Sequence, residues 1–332
     1  MEETSSNINK SKNAHLLPLV SIGIPTYNRS ALLKRAVATI QAQDYKNIEI
    51  IISDNCSPDD TKEVGQKLAA EDSRIQYFEQ DAGLNFIYNF DFVLKQSKGK
   101  YFMWLADDDW LGENIISRYV GFFENNSDYS VISGEIVNLK GEEVVLVEPD
   151  YTFEQNSPSK RVLESFRSMH YCGMYYGLMR REMIMKIPLK RIMLHDWVCL
   201  GGLAALGKVK TLDFPAYYKQ KDGMSGEFVV RYANLVGAKK FEANFSRLNL
   251  SMIVFSEILW NGKTYGKMGF LKRIVLAFRV AWTIIDRYYV QPVMQSKSKR
   301  KGFARNVSRP LKDVMRETST FKFFRNIKQK IS

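Results

Sequence analysis

Gly99-Lys100-Tyr101-Phe102-Met103-Trp104-Leu105-Ala106-Asp107-Asp108-Asp109-Trp110 is the stretch on which the reading of this chain turns. An apolar run, Tyr101 to Leu105, passes without interruption into three aspartates. Such a run suits a strand covered on both faces by helices, as in a parallel sheet. Ligands of open α/β sheets bind outside the carboxyl ends of the strands. Adjacent carboxylates at such an end repel one another, and a divalent cation relieves that repulsion most simply. An all-oxygen donor set suits Mg²⁺ or Mn²⁺ rather than zinc. These ions commonly take one or two protein carboxylates and complete their shell with phosphate oxygens. The stretch points to a metal–diphosphate site, although taken alone it is equally an acidic loop after a strand.

Upstream the same alternation recurs. Residues 19–24 read as a short buried strand, stopped by Pro25-Thr26-Tyr27-Asn28-Arg29. Ser30 is a capping residue type, and Leu32, Leu33, Ala36, Val37 and Ile40 share one helical face behind it. Residues 48–52 form a second strand ending at Ser53-Asp54-Asn55, with a helix start at Ser57-Pro58-Asp59-Asp60. Residues 74–78 are a third strand, and Ile87, Phe90, Val93 and Leu94 mark the helix before Gly99. Strands alternating with helices give βαβ units, and right-handed crossovers put the strand ends on one rim. The 25–29 loop, Asp54 and Asp107 to Asp109 are therefore expected side by side. Downstream, the pattern predicts a helix over 115–123, a hairpin from 129–137 to 143–147 and a helix over 159–169. A strand over 173–179, a Gly/Ala-rich helix over 198–206 and a strand over 208–214 follow. From about residue 229 the pattern is helical. The expected organisation is a polar, disordered tail at 1–18, an α/β domain at 19–225 and a helical extension at 226–332.

The length of 332 residues, with 45% apolar and 25% charged residues, is that of an ordinary globular protein with a substantial core. Cys56, Cys172 and Cys199 form no CxxC pair, which fits a reducing compartment and no disulfide framework. The N-terminus lacks the apolar core of a signal peptide, and no run reaches the roughly eighteen apolar residues of a membrane span. The net charge of +12 is uneven: residues 267–332 hold 17 Lys/Arg against 3 Asp/Glu, whereas the first 266 hold 31 against 33. The C-terminal fifth therefore expects an anionic partner surface, membrane or nucleic acid.

PTYNR at 25–29, SDNCSPDDT at 53–61, GKYFMWLADDD at 99–109 and HDWVCLGGLAALGKV at 195–209 occur in an order that resembles the family 2 glycosyltransferases of GT-A fold. The resemblance covers roughly residues 19–220. It implies a Rossmann-like, mostly parallel sheet and an inverting transferase using a nucleotide-diphosphate sugar and Mn²⁺ or Mg²⁺. It further implies that Pro25, Thr26, Tyr27 and Arg29 line the nucleotide side and that Asp54 accepts hydrogen bonds from the base. Asp108 falls on the metal-binding position of the family's D-x-D motif. Ala106 replaces that motif's first aspartate, so Asp107 takes the ribose or shares the metal. His195-Asp196 stands where Glu-Asp is usual, which makes Asp196 the general base.

This division suits inverting transfer, a single displacement in which a base deprotonates the acceptor opposite a leaving group stabilised elsewhere. Asp54 and Asp196 are equally good helix-capping residues, and the two roles are compatible. A dinucleotide-dependent oxidoreductase is disfavoured by the lack of GxGxxG after the first strand, and a P-loop kinase by the lack of GxxxxGK[ST]. The rival reading is a catalytically degenerate scaffold of the same fold, attached to membrane or nucleic acid through its basic tail. The resemblance implies a saccharide or lipid-linked acceptor, cell-surface polysaccharide or glycolipid assembly, and a cytoplasmic protein, peripheral on the membrane. Leu271, Ile274, Val275, Phe278 and Trp282 share one helical face, with Lys272 and Arg279 on another. A basic cluster follows at Lys297, Lys299, Arg300 and Lys301, then Phe321, Phe323 and Phe324. Apolar face plus polybasic cluster is the combination for binding an anionic membrane surface; the other reading of this helix is packing against the α/β domain. Nucleic acid is not expected, since no reading module is recognisable.

Overall fold

The computed structural model describes residues 17–81, 85–192, 194–220 and 245–291. The first half runs β1 (Val20–Thr26), α1 (Ser30–Gln41), β2 (Ile48–Asp54), α2 (Thr61–Glu71), β3 (Ile75–Glu79), α3 (Phe86–Gln96) and β4 (Tyr101–Trp104). The second adds β5 (Trp110–Leu111), α4 (Ile115–Asn125), β6 (Tyr129–Lys140), β7 (Glu143–Val147), α5 (Pro158–Ser168), β8 (Leu178–Arg180), α6 (His195–Leu206) and β9 (Lys208–Gln220). Two long helices close the described chain, α7 (Ser246–Trp260) and α8 (Phe270–Ile285).

One sheet has the order β3-β2-β1-β4-β8-β6-β9-β5, with β7 beside β6. Its first four strands are parallel, as the alternation predicted. β4 is buried on both faces: Tyr101 and Met103 pack with the α1 and α4 side, while Phe102 and Trp104 pack with the α3, α5 and α6 side. Gly23 lets α3 approach β1, because a Cβ there would stand 2.6 Å from Val93 Cγ2. Gly201 does the same for α6, where a Cβ would meet the Phe166 ring at 2.5 Å. Burial of these apolar faces is the main stabilising term.

Three expectations are corrected. Residues 173–179 are not one strand: Gly173–Tyr176 forms a 3₁₀ turn and only Leu178–Arg180 pairs. The turn is held by Gly173 N–H donating to the Glu148 carboxylate (2.9 Å) and by Tyr175 stacked on Trp104 at 4.5 Å. β9 does not stop at Phe214 but continues through Pro215 to Gln220. Its register against β6 shifts on both sides of the Glu135–Pro215 pair, and such irregularities tolerate a residue that cannot donate to the ladder. Ser30 is the first helical residue rather than the cap of α1; Arg29 takes the cap position.

α7 and α8 join the α5–α6 core rather than forming a separate unit: Leu250, Val254, Ile258, Leu276, Ala277, Val280 and Ile284 are buried with Phe166, Leu200 and Leu203. α8 therefore docks through Leu276, Ala277, Val280, Ala281 and Ile284. The face read from the sequence as membrane-directed turns partly outward, with Leu271 78% and Val275 58% exposed. Among the described residues no helix is long and apolar enough to cross a membrane. The basic cluster at 297–301, the phenylalanines at 321–324 and the expected boundary at 225 lie outside the described residues.

Candidate active site

The strand register assembles the site. Thr26 of β1 pairs with Asp54 of β2, and Gly23 pairs with Trp104 of β4, so the three following loops open on one rim. Asp107 is buried beneath the β1 loop. Its carboxylate accepts from Thr26 Oγ1 (2.8 Å), Tyr27 N–H (3.4 Å) and Arg29 Nη1 (2.9 Å). The same Arg29 nitrogen donates to Asp108 Oδ2 at 2.6 Å. Arg35 Nη2 donates to the Asp108 backbone oxygen (2.6 Å), and its guanidinium lies 4.4 Å from the Trp110 ring centroid. Burial, with the charge of Asp108 added, pushes the Asp107 carboxyl up to about 6 although Arg29 opposes the shift.

Asp54 is fully buried at the end of β2. It accepts from the Ser57 amide (3.1 Å) and hydroxyl and from the Tyr77 hydroxyl (2.9 Å), while Ser57 Oγ accepts from Asn28 N–H (2.7 Å). Asp54 thereby ties the β2 loop to the β1 loop, and its described partners are all within the chain. Pro25 lies inside β1, and Tyr27 is 53% exposed at the loop's edge. Asn28, Cys56 and Leu194 have positive φ (56°, 61° and 63°), and each lies in a loop that precedes a helix. Leucine in particular is disfavoured in that region, and such strain concentrates at functional sites.

Asp196 occupies the first turn of α6, where the helix dipole favours an anion. Its Oδ1 accepts from the Trp197 amide at 2.9 Å. α6 meets the end of β4 through aromatic contacts. Trp104 stacks on Tyr175 (4.5 Å), and the His195 ring stands edge-on to Tyr175 (5.4 Å) and Phe86 (5.9 Å). Burial lowers the His195 pKa, so the ring is a neutral packing piece. The carboxylate next to His195 and the aspartates just beyond Trp104 are thus linked through one aromatic floor.

The sequence does not single out Lys219, Glu148 and Cys172 as site residues, whereas Asp109 is expected on this rim with Asp107 and Asp108. Asp109 is buried and accepts from Gln220 N–H (3.1 Å); burial and the charge of Asp108 push its carboxyl up to about 7, against the pull of Lys219. Lys219 lies on β9 with its ammonium 3.4 Å from buried Glu148 and 5.0 Å from the Tyr176 ring centroid. Cys172 has its thiol raised well above the usual range, first by burial and then by the charge of the Asp196 carboxylate. Lys219, Glu148 and Cys172 come from segments distant from the acidic run.

The donor set at Asp107 and Asp108 fits a hard divalent cation. Both carboxylates converge on a single positively charged nitrogen, and oxygen donors of this kind suit Mg²⁺ or Mn²⁺. Among the described residues no three His, Cys, Asp or Glu side chains form a metal-binding group.

The sequence profile of the family described as "Glycosyl transferase family 2" matches residues 21–187. The chain belongs to glycosyl transferase family 2. A Rickettsia typhi relative described as an uncharacterized glycosyltransferase is 27% identical over 249 residues, covering 74% of this chain and 71% of that protein. The Campylobacter jejuni GalNAc(5)-diNAcBac-PP-undecaprenol beta-1,3-glucosyltransferase is 39% identical over 124 residues, 36% of this chain. That match spans 38% of the Campylobacter protein's length. Among solved structures, residues 1–349 of S. aureus TarS superpose with a TM-score of 0.59 at 14% identity, covering 86% of this chain and 76% of that 1–349 fragment. This glycosyltransferase therefore has the GT-A fold expected from its motifs, with a helical C-terminal region packed on it.

Proposed function

We propose that this glycosyltransferase moves a sugar from a nucleotide-diphosphate sugar to an acceptor hydroxyl with inversion at the anomeric carbon. The observation that carries the reading is the pairing of two acidic positions across the Trp104–Tyr175–His195 floor: Asp107 and Asp108 after β4, and Asp196 at the start of α6. Inverting transfer needs a base on the face opposite the leaving group, so its two acidic functions stand apart. Pro25, Thr26, Tyr27 and Arg29 face the nucleotide, Asp54 acts through the loop it anchors at the base, and Asp107 orients the ribose side. Asp108 is the principal ligand of Mn²⁺ or Mg²⁺, which when bound offsets the charge of the diphosphate. Asp196 takes the proton of the acceptor hydroxyl. Calorimetry with UDP, GDP and dTDP, with and without Mn²⁺, tests the donor side. One of them binding with metal-dependent affinity is expected, and metal-independent weak binding by all would favour the scaffold reading.

A saccharide or lipid-linked acceptor in cell-surface polysaccharide or glycolipid assembly fits the relatives. The Campylobacter protein is named for a polyprenol-linked substrate, and an Escherichia coli K12 relative, 36% identical over 105 residues, for colanic acid biosynthesis. Attachment to an anionic membrane is supported by the outer side of α7 and α8. Met252, Trp260, Phe270, Leu271 and Val275 are exposed there, with Lys263, Lys267, Lys272 and Arg279 also exposed. Glu257, the single acid in residues 246–285, is buried and paired with Lys190. Apolar side chains rimmed by bases are the composition of an interfacial surface, each base adding about 1 kcal/mol near an anionic leaflet. Co-sedimentation with phosphatidylglycerol and phosphatidylcholine vesicles is expected to show salt-sensitive binding to the former. The double variant Leu271→Ser, Val275→Ser should weaken it about tenfold or more, since apolar burial contributes ~25 cal/mol per Å². Equal binding to both lipids, or by both proteins, would remove this surface from the function.

A further inference from the structure

Arg29 stands where a cation is needed. Its Nη1 is 2.9 Å from Asp107 Oδ1 and 2.6 Å from Asp108 Oδ2, so one nitrogen fills the space between two carboxylates. Its backbone is fixed: the N–H donates to Thr61 Oγ1 (3.1 Å) and the carbonyl accepts from Leu33 N–H (2.9 Å). Only the side chain, 27% exposed, is free to leave. Resting on the metal-dependent reading given above, we infer that Arg29 is a displaceable occupant of the divalent-cation seat. The metal and the guanidinium compete for the same two carboxylates.

Two consequences follow from electrostatics. Asp107 is 5% exposed and shares one cation with Asp108, so the guanidinium leaves at least cost when another cation takes its place. The metal therefore enters by exchange with the guanidinium rather than by filling an open seat, and its affinity in the absence of substrate is reduced by the work of dislodging Arg29. The displaced guanidinium, a planar fork of N–H donors, matches the oxygens of a diphosphate. A diphosphate bound beside the metal gives Arg29 a second anionic partner. Metal and donor then strengthen each other through this side chain as well as through direct phosphate–metal contact, and the coupling is reciprocal.

The test needs no turnover. Free Mn²⁺ is followed by electron paramagnetic resonance as it is titrated into the full-length wild type and into Arg29→Gln, Arg29→Lys and Asp108→Asn, with no nucleotide present. Arg29→Gln is expected to bind Mn²⁺ about ten- to a hundredfold more tightly than wild type, the equilibrium equivalent of one charge-assisted hydrogen bond. Arg29→Lys keeps the charge without the fork and should fall between them, which preserves the test if the glutamine variant folds poorly. Asp108→Asn should lose the binding. Equal Mn²⁺ affinity in wild type and both Arg29 variants, with Asp108→Asn still defective, overturns the exchange while leaving the metal reading intact. Failure of every protein to bind Mn²⁺, Arg29→Gln included, overturns the exchange, and the metal reading falls with it when added UDP restores no binding.

Discussion

Asp108→Asn is expected to fold normally, to lose the effect of Mn²⁺ on nucleotide-diphosphate binding, and to transfer sugar about 10²–10³-fold more slowly, the scale of removing one preorganised stabiliser of developing charge. The substitution is nearly isosteric. The Asp108 carbonyl still accepts from Arg35, and an amide oxygen still accepts from Arg29 Nη1, so the loop after β4 keeps its anchors. What disappears is the formal charge on the more accessible of the two converging carboxylates; its side chain is 20% exposed against 8% for Asp107. Asp107→Asn makes an instructive contrast. Asp107 is buried and accepts from Thr26, Tyr27 and Arg29, so its replacement should lower the melting temperature as well as activity. Thermal unfolding beside a Mn²⁺ titration of the transfer rate separates the two. Wild-type rate and metal dependence in Asp108→Asn would remove Asp108 from the chemistry.

The parts of this site legible in the sequence are those carried by continuous local signals. An apolar run entering an acidic loop marks a strand end, and parallel strands gather such ends on one rim, which is how Thr26, Asp107 and Asp54 came to be expected together. The expectation held for Thr26 and Asp107, joined at 2.8 Å, and for Asp54, beside Thr26 in the strand register. Lys219 was illegible because Pro215 looks like the end of a strand. Only the register shift opposite Glu135 lets β9 continue and bring Tyr217, Lys219 and Gln220 beside Asp109. Cys172 and Glu148 were illegible for another reason: their neighbours depend on the Gly173–Tyr176 turn, whose residues pack through aromatic rings rather than by period. In α8 the apolar residues surround most of the helix, so periodicity alone did not reveal which face would meet α5 and α7. Packing chose the small side of Ala277 and Ala281, which allows close helix approach.

Asp196→Asn should separate binding from chemistry. The side chain sits at the helix start with Oδ1 held by the Trp197 amide, an interaction an asparagine carbonyl oxygen preserves. The aromatic floor under it involves His195 and Tyr175, not the carboxylate, so the entrance to α6 should keep its shape. Donor affinity measured by calorimetry is therefore expected to stay within about threefold of wild type, as for a substitution that removes no ground-state contact. Transfer should fall by about 10²–10⁴-fold, the usual contribution of a positioned base. His195 cannot take over the role, because its ring is buried against Phe86 and Tyr175. Cys172 cannot either, since burial and the charge of Asp196 hold it as a thiol. Removing that carboxylate leaves Cys172 raised by burial but no longer by the Asp196 charge, so the asparagine variant should also react faster with a small thiol reagent. An Asp196→Asn enzyme that transfers at the wild-type rate would place the base elsewhere in the cleft.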